Sequence, residues 1–202
     1  YCRQWSSFMQ PRCDAVFAII DCATKTGKDN DGTAVVYFAL NKASGAANPL
    51  IVLDWDIVQI EGALLETWLP GVLSNLELLA MRCKARYGSA GALIEDKDSG
   101  QILLQQARRR KLKAEAINSK LTSVGKDERA ISVSGYVHRG MVKISQEAYD
   151  KVTTYKGATR NHLMSQVTGF RIGDKEAAKR ADDLLDGFVY GVAVGLGDSG
   201  GF

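Results

Sequence analysis

Histidine and proline are scarce in this chain, and the scarcity narrows the chemistry open to it. Its 202 residues hold two histidines and three prolines. The histidines, His138 and His162, stand in no zinc-ligand spacing. The four cysteines (Cys2, Cys13, Cys22, Cys83) form no Cys-x-x-Cys pair and are too few for a secreted disulfide scaffold. Reduced thiols in a cytosolic compartment are the expectation. No apolar run approaches the roughly 20 residues that cross a bilayer, and the opening Tyr1-Cys2-Arg3-Gln4-Trp5 has no signal-peptide core. A phosphate loop of the Gly-x-x-x-x-Gly-Lys-Ser/Thr type is missing too. Gly27-Lys28 runs into Asp29 and Gly125-Lys126 into Asp127, so ATP hydrolysis is not expected of this chain. With a formal net charge of only +3, the whole-molecule field does not by itself demand a polyanion, and any DNA-binding face has to be local.

What is present is apolar and patterned. At 46% hydrophobic residues the chain is long enough for one substantial core. The expectation is a single α/β domain over 1–202, with a linker-like start at 1–12 and a flexible Gly-rich tail at 195–202. The opening without Met reads as a fragment of a longer protein. Apolar β-rich runs at Ala15–Ile20, Thr33–Leu40 and Leu50–Leu53 predict three strands in a meander. From Ile60 to Tyr87 the apolar residues recur at helical spacing, with Pro70 placed to start a second helix. Ala90–Ile94 predicts a strand, and Asp98-Ser99-Gly100 caps a helix over Gln101–Lys111. Ala114–Ile117, Ala130–Val137 and Met141–Ile144 read as short strands or hairpin segments around Gly135 and Gly140. Two helices, Gln146–Val167 and Lys175–Val194, close the chain.

The acids fall at informative places. Asp21 ends the run Val16-Phe17-Ala18-Ile19-Ile20, Glu95-Asp96 follow Ala92-Leu93-Ile94, and Asp182-Asp183 open an apolar segment with Asp186 one helical turn on. One such acid alone reads as a turn or helix cap, or as a complement to a helix dipole. Three acidic sites at element ends point further, because mutually repelling carboxylates are relieved by hard divalent cations such as Mg²⁺ or Mn²⁺. Two such ions clamp both sides of a phosphodiester without any His or Cys ligand. Acidic strand ends also occur in doubly wound folds that bind other ligands.

These residues resemble a known family, the nuclease domain of the large terminase subunit of tailed double-stranded DNA bacteriophages. Asp21-Cys22-Ala23 followed by Asn30-Asp31-Gly32-Thr33-Ala34 is similar to its first motif, and Leu93-Ile94-Glu95-Asp96-Lys97-Asp98-Ser99-Gly100 to its second. Ala181-Asp182-Asp183-Leu184-Leu185-Asp186-Gly187 is similar to its third. Gly125-Lys126-Asp127-Glu128-Arg129-Ala130 resembles the family's Lys-x-x-Arg-Ala segment, and Phe170 stands where a Phe precedes the last acidic helix. The resemblance implies a ribonuclease H-like (RuvC/integrase-like) mixed sheet flanked by helices, and a two-metal DNA endonuclease using Mg²⁺ or Mn²⁺. It implies cutting of concatemeric phage DNA during packaging with little sequence specificity. The partners it implies are double-stranded DNA and, in the full-length protein, an ATPase domain absent here, the small terminase subunit and the portal. Asp21, Asp96 and Asp183 are the expected catalytic acids. The metal-binding set is drawn from Asp21, Glu95, Asp96, Asp182, Asp183 and Asp186, because each doubled acid leaves register to decide which member binds.

For DNA the candidates are Arg108, Arg109 and Arg110, and a second patch of Lys126, Arg129, Arg139 and Lys143. The first group also suits a helix C-terminus facing water. No aromatics interleave these cations, which favours duplex over single strands. Trp55, Trp68, Tyr37, Phe38 and Phe188 read as core. Two other readings stay open: another ribonuclease H-like nuclease (a junction resolvase or transposase core), or a non-catalytic docking module of the packaging motor.

Overall fold

Three β-branched and aromatic runs, each long enough to be buried on both faces, build the centre of the molecule. The structure, a computed structural model, describes residues 4–5, 12–22, 32–42, 46, 48–60, 65–97, 99–174 and 181–197. Strands β2 (Ala15–Asp21), β3 (Thr33–Leu40) and β4 (Leu50–Val58) form the expected antiparallel meander. β5 (Ser89–Ile94) lies parallel to β2, and β6 (Ala114–Ala116) parallel to β5. On the other side β7 (Val142–Ser145) runs parallel to β4, and β1 (Gln4–Trp5) parallel to β7. The sheet order is β1-β7-β4-β3-β2-β5-β6, with β3 running against the rest.

Helices cover both faces of this sheet. On one side α1 (Leu65–Arg82) and α2 (Ser99–Arg109) bury Leu69, Leu76, Leu79 and Leu103 against Val16, Ala18 and Ile20. On the other, α7 (Asp183–Leu196) packs on β2 and β3 in the core of Phe17, Ile19, Val36 and Phe38, and α4 (Lys126–His138) and α6 (His162–Gly169) pack against α7. Short helices α3 (Ser119–Thr122) and α5 (Gln146–Asp150) and the hairpin β8 (Thr153–Tyr155) and β9 (Ala158–Arg160) complete the order. Strand alternation sends odd and even residues of β2 to opposite cores, which is why its whole run is apolar.

Helix α7 lies unusually close to the sheet. A Cβ on Gly191 would stand 2.1 Å from Phe38, one on Gly195 2.8 Å from Leu50, and one on Gly187 3.2 Å from Val36. These glycines recur every fourth residue, so they form one bare stripe along the buried face of the helix.

Several expectations need correction. Lys126–His138 is a helix rather than strand or hairpin: its first turn holds Asp127 and Glu128, and Arg129 and Val133, one turn apart, are its buried residues. Gln146–Val167 is not one helix; after α5 the β-branched Val152-Thr153-Thr154 and the turn at Lys156-Gly157 divert the chain into the β8–β9 hairpin. Pro70 starts no second helix but sits inside α1, where its missing N–H removes one bond of the helical ladder. The last helix begins at Asp183, Ala181 and Asp182 being non-helical, and it runs on through Gly195 and Leu196, which were expected in the tail. β4 extends beyond Leu53 because Trp55 and Ile57 point into the core while Asp54 and Asp56 alternate with them. Gln4–Trp5 pairs as a strand where a linker was expected. The expected elements and motif residues at Ala23, Gly27-Lys28, Asn30-Asp31, Asp98, 175–180 and 198–202 lie outside the described residues.

Trp55, Tyr37, Phe38 and Phe188 are buried, as read from sequence, and Trp68 is partly buried against the α1–α2 core. Cys13, Cys22 and Cys83 are buried and take part in no disulfide. Among the described residues no helix is long and apolar enough to cross a membrane.

Candidate active site

Parallel pairing of β2 and β5 puts their C-terminal ends side by side, with Glu95 N donating to Ile20 O at 3.1 Å. Asp21 and Glu95 therefore emerge together from the same edge. The first turn of α7 packs over this edge and brings Asp183 and Asp186 to it. Asp183 is buried, and its Oδ2 accepts from Gly32 N at 3.2 Å. The small residue Gly100 lets the start of α2 abut Glu95: a Cβ there would meet Glu95 O at 2.0 Å.

The electrostatics record the convergence. The Asp21 carboxyl is pushed well above its ordinary value, first by burial, then by Asp186, Glu95 and Asp183, and by a hydrogen bond shared with Glu95. Burial also works to raise Glu95, but hydrogen bonds from Lys97 and Tyr190 outweigh it and hold this carboxyl low. Lys97 Nζ lies 2.6 Å and Tyr190 Oη 2.7 Å from Glu95 Oε1. The two carboxyls are thus shifted in opposite directions, Asp21 toward its protonated form and Glu95 toward its ionised one.

A cationic rim balances the other acids. Lys126 Nζ bonds Asp186 Oδ2 at 2.9 Å and also contacts Asp182, while Arg129 donates to Asp186 Oδ1 at 3.0 Å. Burial opposes the Lys126 charge, but Asp186 and Asp182 prevail and raise its ammonium above the ordinary value. Arg129 is itself buried, its guanidinium 4.2 Å over the ring of Tyr190.

The expected residues divide accordingly. Asp21, Glu95, Asp183 and Asp186 are brought together; Asp182 precedes α7 at the rim, its side chain on Lys126; Asp96 is exposed and takes no part in these bonds. Of the first doubled pair, Glu95 is the member facing Asp21. Lys126 and Arg129 lie at the acids. Arg108, Arg109 and Arg110 close α2, and Arg139 and Lys143 open β7, all at the opposite end of the sheet. His162 is buried with Nε2 facing the carbonyls of Thr153 and Ala158.

Sequence reasoning missed Lys97, Tyr190 and a cavity of about 420 Å³ beside the acids, lined by Lys126, Lys156, Arg160, Phe170 and Asp182 among others. Reading the hairpin as helix hid Lys156 and Arg160; the Lys156-Gly157 turn was the available signal.

The donor set is all oxygen, which fits a hard divalent cation rather than zinc held by sulfur and nitrogen. Among the described residues no three acidic, His or Cys side chains already gather closely enough to hold an ion. A divalent cation at this end of the sheet would relieve the mutual repulsion of Asp21, Glu95, Asp183 and Asp186 that raises the Asp21 carboxyl.

No family model matches the chain, and no curated protein matches it in sequence. Solved structures do match in shape. The human cytomegalovirus terminase nuclease domain superposes with a TM-score of 0.57 at 15% identity, over 90% of this chain and 83% of that one. The chain has the fold of a terminase nuclease domain. The Mn-soaked form of that viral domain gives a TM-score of 0.54 at 14% identity over the same shares. The nuclease domain of the large terminase of bacteriophage SPP1, with bound Mn, overlays less closely, at 0.48 and 12% identity over 94% of this chain and 93% of that one. A terminase nuclease fold is ribonuclease H-like, the class that the family resemblance implied.

Proposed function

We propose that the chain is a metal-dependent endonuclease that cuts concatemeric double-stranded viral DNA during genome packaging, with little sequence specificity. The observation that carries this reading is the meeting of Asp21, Glu95, Asp183 and Asp186 at one sheet end, seen in the raised carboxyl of Asp21. In this reading Asp21, Glu95 and Asp183 hold the metal, with Asp186 and Asp182 oriented by Lys126 and Arg129. Asp96 is left as an outer group. When bound, two Mg²⁺ or Mn²⁺ ions supply activation of the attacking water and neutralisation at the leaving oxygen. Tyr190 holds Glu95 in place, and Lys97, Lys156 and Arg160 steer a phosphate backbone toward the acids. The packaging role, with an ATPase motor, small subunit and portal as partners, rests on the motif resemblance and the shared fold. That no three of the described acids already gather closely enough to hold an ion favours one competing reading, a docking module with structural carboxylates.

Supercoiled plasmid incubated with the purified chain in Mn²⁺, Mg²⁺ or EDTA, beside Asp21→Asn, separates the two. Metal-dependent nicking and linearisation that disappear in the variant are expected. Cutting unaffected by Asp21→Asn would remove this metal site, and no cutting in either metal would favour docking.

A further inference from the structure

We propose that the end of the sheet opposite the carboxylates is a second binding surface, one that holds duplex DNA by its phosphates. The strands β2, β4, β5, β6 and β7 all begin there and β3 ends there. The turns that serve them carry Arg12 before β2, Lys42 after β3, Lys84 and Arg86 between α1 and β5, and the run 108–111 between α2 and β6. Every one of these side chains is exposed. Among the described residues of these turns Asp14 is the one acid, and its Oδ2 is taken by the Lys42 amide at 2.6 Å. The carboxylate end pairs its acids with Lys97, Lys126 and Arg129, whereas the described turns of this end carry cations almost unopposed by acids.

Placement favours a phosphate backbone as the occupant. Neighbouring strands are about 4.8 Å apart, so cations spread over the adjacent β3, β2, β5 and β6 span about 15 Å, enough to meet several phosphates. A hollow of about 510 Å³ opens among Arg12, Asp14, Asn41, Lys84 and Arg86. Lys84 and Lys111 hold left-handed backbone, at φ 47° and 55°, where the ends of α1 and α2 would take glycine without strain. Complementing two helix dipoles needs one or two cations at each end, fewer than this array presents. The six residues of β5 put the cations about 20 Å from the acids. The two surfaces face apart, so they take different stretches of DNA. The inference stands on charge and placement and survives if the cleavage reading fails.

Fluorescence anisotropy of a labelled duplex in EDTA tests it, because chelation removes any metal-bridged binding at the carboxylate end. The triple variant Lys84→Gln/Arg109→Gln/Arg110→Gln is expected to bind at least tenfold more weakly, with a salt slope shallower by about 2–3 and an unchanged melting temperature. The Arg109→Lys/Arg110→Lys variant, keeping the charge, is expected to retain affinity, which covers the case of a misfolded triple variant. Equal affinity in the triple variant overturns the inference, as does a lower melting temperature with affinity retained, which would mark these side chains as helix caps. Wild type that binds poly-glutamate but not duplex overturns it too, assigning the surface to an acidic protein. Plasmid nicking, measured separately, reports on the carboxylate end.

Discussion

Tyr190, two turns into α7, donates its hydroxyl hydrogen to Glu95 Oε1 at 2.7 Å. Because Arg129 of α4 lies over the same ring, one aromatic side chain links α4, α7 and the end of β5. Tyr190→Phe keeps the ring contact and removes only the hydrogen bond. Glu95 is held below its ordinary value, so its contribution to stability is present above that value and lost as pH falls through the depressed one. The variant should be less stable by about 1.5–3 kcal/mol at pH 7, the worth of a hydrogen bond to a charge. The difference should shrink in acid, as read by urea unfolding at both pH values. Plasmid nicking should slow about 10- to 100-fold, as for outer-shell partners of a metal site.

Asp21 has the opposite sign. Its raised carboxyl favours the protonated form, so its contribution is full below the unfolded value and is lost as pH rises through the folded one. Asp21→Asn mimics the protonated state. In EDTA at pH 7–8 the variant should melt higher than wild type, and the gap should close toward pH 4. With Mn²⁺ added, wild type alone should gain in melting temperature. A variant that melts lower than wild type at pH 8 in EDTA would show that Asp21 is not under repulsion.

Arg129 is buried against Asp186 and Tyr190. Arg129→Met leaves Asp186 with Lys126 as its remaining cation, and breaking a buried pair from one side costs about 3–5 kcal/mol. Asp186→Asn in the Arg129→Met background should recover part of that loss. A double-mutant cycle by chemical denaturation checks the coupling, and strictly additive losses would deny it.

Gly191→Ala places a methyl 2.1 Å from the Phe38 ring. Overpacking of this kind costs about 1–3 kcal/mol. Phe38→Leu, destabilising alone, should cost less in the Gly191→Ala background, because the smaller side chain makes room. Thermal melts of the four proteins show the sign of the coupling.

Much of this architecture was legible in the sequence. β2, β3 and β4 announced themselves because strands buried on both faces read as unbroken apolar runs. Asp21 was legible as an acid ending such a run. The choice between Glu95 and Asp96 was not, since a one-residue shift at a strand end swaps which neighbour faces the next element. Lys126–His138 was opaque because Ile131, Val133 and Val137 are β-branched and stand around Gly135, a local preference for strand that packing of Arg129 and Val133 overrides. The hairpin at Thr153–Arg160 was lost inside a stretch whose apolar residues happen to suit a helix. With it went Lys156 and Arg160. The split of the basic residues between the two sheet ends follows from topology alone, which no spacing in the sequence displays.

The bare stripe of Gly187, Gly191 and Gly195 has a consequence for how this protein can vary. Main chain, rather than side chain, sets the height of α7 above the sheet, and Asp183 and Asp186 ride on its first turn. A larger residue at any of the three positions levers the helix outward and carries both carboxylates with it. Evolutionary drift there is therefore constrained twice, and a saturation scan scored separately for abundance and for cleavage should find these glycines less tolerant in the second screen than in the first.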